Sequence, residues 1–157
     1  MKNLVLVRID ERLIHGQVMT QWCRIRHFNT IMIVDDATAN DAFLKQVCVM
    51  AVPKDFVPLC QTADEAAAYL LGDSDKEEIL LLVKTPDTVE RLVEKGVEIK
   101  ELNAGGMGMR PGRVKLCRDI AATPAEQEVF KRLIAKGINV FVQRVPNDRA
   151  VQMEKLL

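Results

Sequence analysis

The chain has 157 residues, 48% hydrophobic and 28% charged, with 22 basic and 22 acidic side chains. This length and composition predict a single domain over residues 1–157 that buries a substantial core, and they exclude a disordered chain. The most apolar run, residues 79–83, is too short for a membrane-spanning segment, and the N-terminal segment reaches Arg8 and Asp10 too early for a signal peptide. The balanced charge and the 4% aromatic content argue against nucleic-acid binding, which needs basic patches or stacking platforms.

Apolar runs alternate with segments of helical periodicity along the whole chain. In chain order, the predicted elements are a strand at 4–7, a helix at 16–27, a strand at 30–34, a helix at 43–51, a strand at 56–59, a helix from 62 to 72, a strand at 78–83, a helix from 85 to 96, a strand at 97–102, an edge-like strand at 113–116, a helix from 123 to 137, a strand at 138–145 and a last helix from 147. This alternation predicts an α/β fold with an open, mainly parallel sheet, helices on both faces and one antiparallel edge strand.

The loop after the first strand is the first candidate site, because open α/β sheets bind ligands beyond the carboxyl ends of their strands. His15 stands at the start of the first helix, where free backbone N–H groups and the helix dipole favour an anion. Arg8 and Arg12 each offer a planar fork to phosphate oxygens, with Asp10 between them. Gly16 leaves room for another backbone. The loop therefore predicts an anion site that contains an imidazole.

Plainer interpretations of the same loop stay open. In one interpretation, the arginines of the loop and Asp10 form ordinary surface pairs, and His15 acts as a polar helix cap. In a related interpretation, Arg8 ends the first strand and pairs with Asp10 or Asp35 rather than with a phosphate.

Two further segments are candidates for the same pocket. Asp35, with Asp36, follows the second strand and either shapes the pocket or caps a turn. Gly105 and Gly106 follow the predicted fifth strand and form either a wall of the phosphate site or a tight turn. The glycine-rich segment matches neither the P-loop pattern nor the dinucleotide-binding pattern.

Residues 8–18 resemble the active-site segment of the mannose/sorbose-class IIB components of the bacterial phosphoenolpyruvate:sugar phosphotransferase system. The resemblance extends over essentially the whole chain. The other segments that look like this family, in the same order, are Val34–Asp36 with Ala39–Asp41, Lys84–Pro86, Leu102–Met107 and Gly137–Pro146.

This resemblance implies a cytoplasmic phosphocarrier, a protein-N-phosphohistidine–sugar phosphotransferase held at the inner face of the membrane by its partners. His15 accepts a phosphoryl group from the phosphohistidine of a IIA partner and passes it to a sugar imported through the membrane subunits IIC and IID. Arg8 and Arg12 match positions expected to surround the phosphoryl group, and Asp10 and Gln17 lie in the same loop. Glu11 is assigned no role.

The chemistry requires no metal or cofactor, because the N–P bond of phosphohistidine is already reactive. The identity of the sugar and the formation of a homo-oligomer are left open. The rival function is a non-catalytic module that uses the same cationic loop to hold a phosphorylated ligand. Partner docking is expected on the polar side of the first helix and on the glycine-rich loop, unless the methionines of that loop fold into the core; the residues concerned are Gln21, Arg24, Arg26, Met107, Met109 and Arg110.

Overall fold

The computed structural model of the protein describes residues 1–73 and 76–157, with the backbone alone at Gln17. The strands are β1 (Asn3–Asp10), β2 (Thr30–Val34), β3 (Val57–Gln61), β4 (Glu78–Val83), β5 (Glu101–Gly106), β6 (Val114–Lys115), β7 (Ala121–Ala122), β8 (Asn139–Val142) and β9 (Val151–Gln152). The helices are α1 (Gly16–Arg26), α2 (Asp36–Asn40), α3 (Ala42–Ala51), α4 (Ala63–Leu70), α5 (Pro86–Glu94) and α6 (Pro124–Ala135), followed by a 3₁₀ helix at Met153–Leu156. None of the helices in these two ranges combines the length and the apolar content that a membrane crossing requires.

The main sheet is mixed and mostly parallel, with the strand order β3-β2-β4-β1-β5-β8-β9. All neighbouring strands are parallel except the final pair, in which β9 runs antiparallel to β8. The inner strand β4 reads Glu-Ile-Leu-Leu-Leu-Val and is buried along almost its whole length, as expected for a parallel strand covered on both faces. The predicted fold class is confirmed.

The core consists of one apolar layer on each face of the sheet, because successive strand side chains point to opposite faces. In β4, Ile79, Leu81 and Val83 join one buried cluster, whereas Leu80 and Leu82 join the other. Helices α4, α5 and α6 cover the first face, and α1 covers the second. Capping boxes at Thr62 and Thr123 fix the starts of α4 and α6, next to the predicted starts at 62 and 123.

A crevice opens between the carboxyl ends of β1 and β5. These strands are hydrogen-bonded neighbours, but the chain leaves β1 toward α1 on one face and continues beyond β5 to α6 on the other. Such a divergence is the topological switch point at which open α/β sheets bind ligands. Asp10, Glu11 and Arg12, where the first loop begins, line one side of this crevice.

Several predicted elements were wrong in their bounds or type. The fifth strand begins at Glu101 instead of 97 and continues through Gly106, because pairing with β8 starts at Glu101 and pairing with β1 extends to Gly106. Gly105 and Gly106 therefore end a strand rather than follow one. The segment 113–116 is not an edge of the main sheet, since Val114 and Lys115 form a separate antiparallel hairpin with β7.

The end of the chain also differs from the expectation of a helix from Asn147. Val151 pairs with Val142 as an antiparallel edge strand, and Met153 is completely buried in the core. Edge pairing and the burial of Met153 stabilise an extended segment followed by a single 3₁₀ turn. The antiparallel edge strand of the predicted fold thus exists, but β9 supplies it.

Candidate functional site

The first loop starts from a longer strand than the sequence indicates. β1 runs to Asp10, whose backbone pairs with that of Gly106 in β5. Arg8 and Asp10 are therefore strand residues two positions apart, and both are buried. The loop itself contains only residues 11–15 before α1 begins.

Arg8 is a buried cation that binds the protein itself. Its side chain is fully inaccessible, and one terminal nitrogen donates to the Asn103 side chain and to the Gln143 carbonyl at 3.0 Å. The other donates to the Arg144 carbonyl at 2.8 Å and to Asp10 at 3.3 Å. The Trp22 ring lies 5.5 Å from the guanidinium carbon, within cation–π range. Burial lowers the pKa of Arg8 to about 10 despite the opposing charge of Asp10.

This environment corrects the expectation that Arg8 presents a free fork to a phosphate. Its terminal nitrogens already have four acceptors, and no part of its side chain reaches the surface. The interpretation in which Arg8 pairs with Asp10 is confirmed. Arg8 ties the end of β1 to β5 and to the backbone after β8.

The backbone at Gly105 and Gly106 is closely approached by the side chains of Arg8 and Asp10, which explains the two glycines without a turn. A Cβ atom on Gly105 would lie 2.1 Å from the guanidinium carbon of Arg8, and one on Gly106 would lie 3.3 Å from a carboxylate oxygen of Asp10. Neither glycine has a positive φ. Both line the cleft described below, so the turn interpretation is wrong.

Asp10 holds Arg12 in place. Its carboxylate accepts from the backbone N–H of Arg12 at 3.1 Å and from the Nε and a terminal nitrogen of Arg12 at 3.0 and 2.9 Å. Burial acts to raise the pKa of Asp10, but the hydrogen bonds from Arg12 and the charge of Arg8 outweigh it and keep the pKa below its ordinary value. The Arg12 side chain is 48% exposed, so it is a fixed cation that still faces solvent.

His15 occupies the N-cap position of α1 without using its side chain as a cap. The structure gives it no side-chain hydrogen bond to the helix N–H groups, and its Nδ1 atom is shielded from solvent without a hydrogen-bond partner. The first turn of α1 contains no acidic residue. The interpretation of His15 as a polar cap is therefore wrong.

Gly16 is exposed, and a Cβ atom there would meet nothing within 4 Å. The predicted role of Gln17 depends on its side chain, which lies outside what the structure describes.

Asp35 is a helix cap in a neighbouring part of the sheet edge. Its carboxylate accepts from the backbone N–H and the hydroxyl of Thr38 at 3.1 and 2.6 Å and pairs with Lys84 at 3.3 Å. β4 separates β2, which Asp35 follows, from β1. Of the two roles predicted for Asp35, the structure shows the cap.

A cleft of about 330 Å³ lies beside the first loop, and the sequence predicted only part of its lining. Besides Asp10, Arg12, Gly105 and Gly106 it is lined by Glu11, Met107, Gly108, Arg118, Asp119 and Arg144. Arg118 and Arg144 keep exposed side chains, and their nearest acids lie at 3.6 and 3.8 Å. No local motif marks these arginines, because the hairpin turn and the segment after β8 reach the crevice only in the folded chain.

The expected docking residues differ in exposure, and Gln21 is exposed. Met107 is buried in the core, whereas Met109 is 65% exposed. Arg26 pairs with Glu101 at 2.6 Å near the amino end of β5, away from the crevice. Arg24 and Arg110 remain exposed. No group of three or more His, Cys, Asp or Glu side chains within the described ranges is arranged to hold a metal ion.

Gly105→Ala and Gly16→Ala form a matched pair for the packing of this site. The new methyl group at Gly105 would displace the Arg8 guanidinium from its buried acceptors, so we expect unfolding free energy to fall by about 1–3 kcal/mol or more. Gly16→Ala meets no atom and improves helix propensity, so stability should be unchanged or higher. Urea denaturation of both variants measures the difference, and equal stabilities would contradict the packing assigned to Gly105.

The lowered pKa of Asp10 predicts a specific dependence of stability on pH. A carboxylate with a depressed pKa contributes its full stabilisation above its unfolded-state pKa and loses it as the pH falls through the folded-state pKa. We therefore expect the unfolding free energy of the native chain to decrease more steeply than that of Asp10→Asn between about pH 5 and about pH 2. Parallel urea titrations across this range provide the test; two parallel curves would show that Asp10 makes no such contribution.

Comparison with known proteins places this geometry in a family. The family model described as the PTS system sorbose subfamily IIB component matches residues 4–157. The mannose-specific EIIAB component of the PTS system of Escherichia coli K12 is 35% identical over 97% of this chain, which spans only 47% of that relative's length. The N-acetylgalactosamine-specific phosphotransferase enzyme IIB component 2 of the same strain is 32% identical, and the match covers 100% of both chains.

Solved structures show the same architecture. The crystal structure of the IIB domain of the sorbose permease from Klebsiella pneumoniae has a TM-score of 0.91 and 29% identity, covering 98% of this chain and 95% of that one. The sequence match, its length and the shared fold all agree with the resemblance of residues 8–18. The chain belongs to the sorbose subfamily of the IIB components of the phosphotransferase system.

Proposed function

We propose that this chain is a phosphocarrier on which His15 receives a phosphoryl group from the phosphohistidine of a IIA partner. It then passes the group to a sugar at the membrane subunits IIC and IID, and it works in the cytoplasm at the inner face of the membrane. The observation that carries this proposal is the state of His15. The imidazole stands at the N-terminus of α1, and neither a cap bond nor a bond to Nδ1 restrains it.

The transfer is close to symmetric in its chemistry. One N–P bond breaks on the donor as another forms on His15, and the donor ring departs as a neutral imidazole that keeps its remaining N–H. Such a reaction depends on in-line positioning and on stabilisation of the charge on the equatorial oxygens. No separate acid, base or metal is needed to balance it.

Arg12 is the cation best suited to that charge. Asp10 holds it through two side-chain hydrogen bonds and one backbone hydrogen bond, which fixes it before the phosphoryl group arrives. Fixed groups stabilise a developing charge without reorganising at the moment of reaction. The free N–H groups at the start of α1 supply a second set of donors.

Arg8 acts through Arg12 rather than on the phosphoryl group. Its buried charge attracts Asp10, which keeps the Asp10 carboxylate ionised and available to Arg12. We therefore assign Arg8 and Asp10 as positioning residues and Arg12 and His15 as the residues that meet the phosphoryl group.

The relatives support the choice of partners without specifying the sugar. Their names include mannose, N-acetylgalactosamine and sorbose systems, so the family serves several sugars with one IIB fold. In the mannose-specific relative the name EIIAB joins an A component to the matched part. A IIA donor that meets His15 is the partner this chemistry requires.

His15→Ala should abolish phosphoryl acceptance and leave folding intact, because the side chain makes no hydrogen bond that the fold requires. The control is His27→Asn, since His27 has φ 52° and asparagine tolerates this left-handed backbone. Both variants and the native chain are incubated with a phosphorylated IIA protein, and acid-labile, alkali-stable phosphate is measured on each. We expect it on the native chain and on His27→Asn.

Label on His15→Ala equal to that on the native chain would contradict the proposal. A native chain that binds the phosphorylated donor but acquires no phosphate would instead support the rival function, a non-catalytic phospho-ligand module.

A further inference from the structure

Arg113 lies outside the proposed chemistry, yet its charge is almost as deeply buried as that of Arg8. Only 4% of its side chain is exposed. Its Nε and one terminal nitrogen donate to the two carboxylate oxygens of Glu126 at 3.0 and 2.9 Å. Its other terminal nitrogen donates to Glu11 and to the Gly108 carbonyl, the latter at 2.8 Å.

Glu11 connects this arginine to the site. Glu11 lies between Asp10 and Arg12, and its second carboxylate oxygen accepts from the Gly108 N–H at 3.0 Å. Its backbone N–H donates to the Gly106 carbonyl at 3.1 Å. The first loop is thus fastened to the opposite wall of the cleft by its backbone and by its side chain.

Glu126 anchors the other end of this set of contacts in the core. It belongs to the first turn of α6, where the Thr123 N–H donates to its carboxylate at 2.9 Å in the capping box. Helix α6 is held by Phe130 and Leu133, both completely buried. The chain of contacts therefore runs from the rigid core, through Arg113, to the loop that carries Arg12 and His15.

The loop needs such an external support. Leu13 has φ 57°, a left-handed conformation that is strained for leucine and persists only when the surroundings hold it. Buried ion pairs contribute little net stability compared with apolar residues of the same volume, although removing one member is costly. The three paired charges of Glu11, Arg113 and Glu126 are therefore better explained by a role in positioning the first loop than by a role in stability.

We propose that Glu11, Arg113 and Glu126 form a clamp that positions the first loop for phosphoryl transfer. The clamp sets the distance between the two walls of the cleft and so the placement of Arg12 and His15. These three are positioning residues, and the proposal rests on the proposed function of His15.

Arg113→Met removes the charge and keeps a similar apolar stem. Its matched control is Arg132→Met, because Arg132 makes the same two-bond contact with Glu90 at 2.7 and 3.0 Å on the exposed side of α6, remote from the first loop. The probe is phosphoramidate, whose P–N bond breaks with release of ammonia as the phosphoryl group joins the His15 ring. Because this small donor needs no docking surface, its saturating rate reports on the geometry of the loop.

We expect the saturating rate of His15 phosphorylation to fall by about 10- to 100-fold in Arg113→Met, the scale on which small misplacements slow a reaction. Arg132→Met should stay within about twofold of the native chain, as for surface changes. Rates are corrected for the folded fraction measured by urea denaturation in the same buffer. Arg113→Lys should recover part of the rate, because lysine keeps the charge but not the planar fork.

Glu11→Gln keeps the pair between Arg113 and Glu126 and weakens the end of the clamp at the loop, together with the exposed pair between Glu11 and Arg110 at 3.3 Å, so it tests the proposal even where Arg113→Met folds poorly. Its rate should fall, and the double variant Glu11→Gln/Arg113→Met should be no slower than the slower single variant. The Gly108 amide and the His15 ring should both shift in NMR spectra of Glu11→Gln and not in those of Arg132→Met.

Native rates in folded Arg113→Met and Glu11→Gln, or rate losses that match the unfolded fraction alone, would overturn the clamp. Failure of the native chain to take phosphate on His15 from a IIA donor would instead contradict the proposed function, so the two failures are distinguishable.

Discussion

The burial of the Arg8 guanidinium at the end of β1 is the interaction on which the candidate site depends. A charge without access to solvent must be met by acceptors inside the protein, because the cost of removing it from water is otherwise prohibitive. Here Asp10, Asn103 and the carbonyls of Gln143 and Arg144 converge on it. Gly105 must lack a side chain for the guanidinium to fit. One buried charge therefore fixes β1, β5 and the segment after β8 relative to one another.

The loop that carries His15 inherits its shape from this arrangement. Asp10 is held by Arg8 from within and holds Arg12 toward solvent, so buried and exposed cations share one carboxylate. Glu11 points the opposite way and fastens the loop to Gly108 and Arg113. Between these supports the chain turns through the left-handed Leu13 into α1. The result is an imidazole free of structural hydrogen bonds on a loop that is otherwise well restrained.

Local sequence patterns predicted the fold class and the first loop because both depend on short-range regularities. Apolar alternation at 78–83 and capping boxes at Thr62 and Thr123 are readable within a few residues. The roles of Arg8 and Gly105 depend on which residues meet them in space, and this meeting joins positions about a hundred residues apart in the chain. The contact between Arg113 and Glu11, which lie 102 residues apart in the chain, could not be predicted for the same reason. The predicted helix at the end of the chain was wrong because pairing with β8 outweighed the local helix signals.

The most direct test of phosphoryl transfer through His15 is to locate the phosphorus atom on the native chain. A ¹⁵N-labelled chain, phosphorylated by a IIA protein and kept at alkaline pH, is examined by NMR for coupling between phosphorus and the ring nitrogens of each histidine. We expect coupling to a ring nitrogen of His15 and none to His27. Coupling to His27, or phosphorus bound to any other side chain, would contradict transfer through His15.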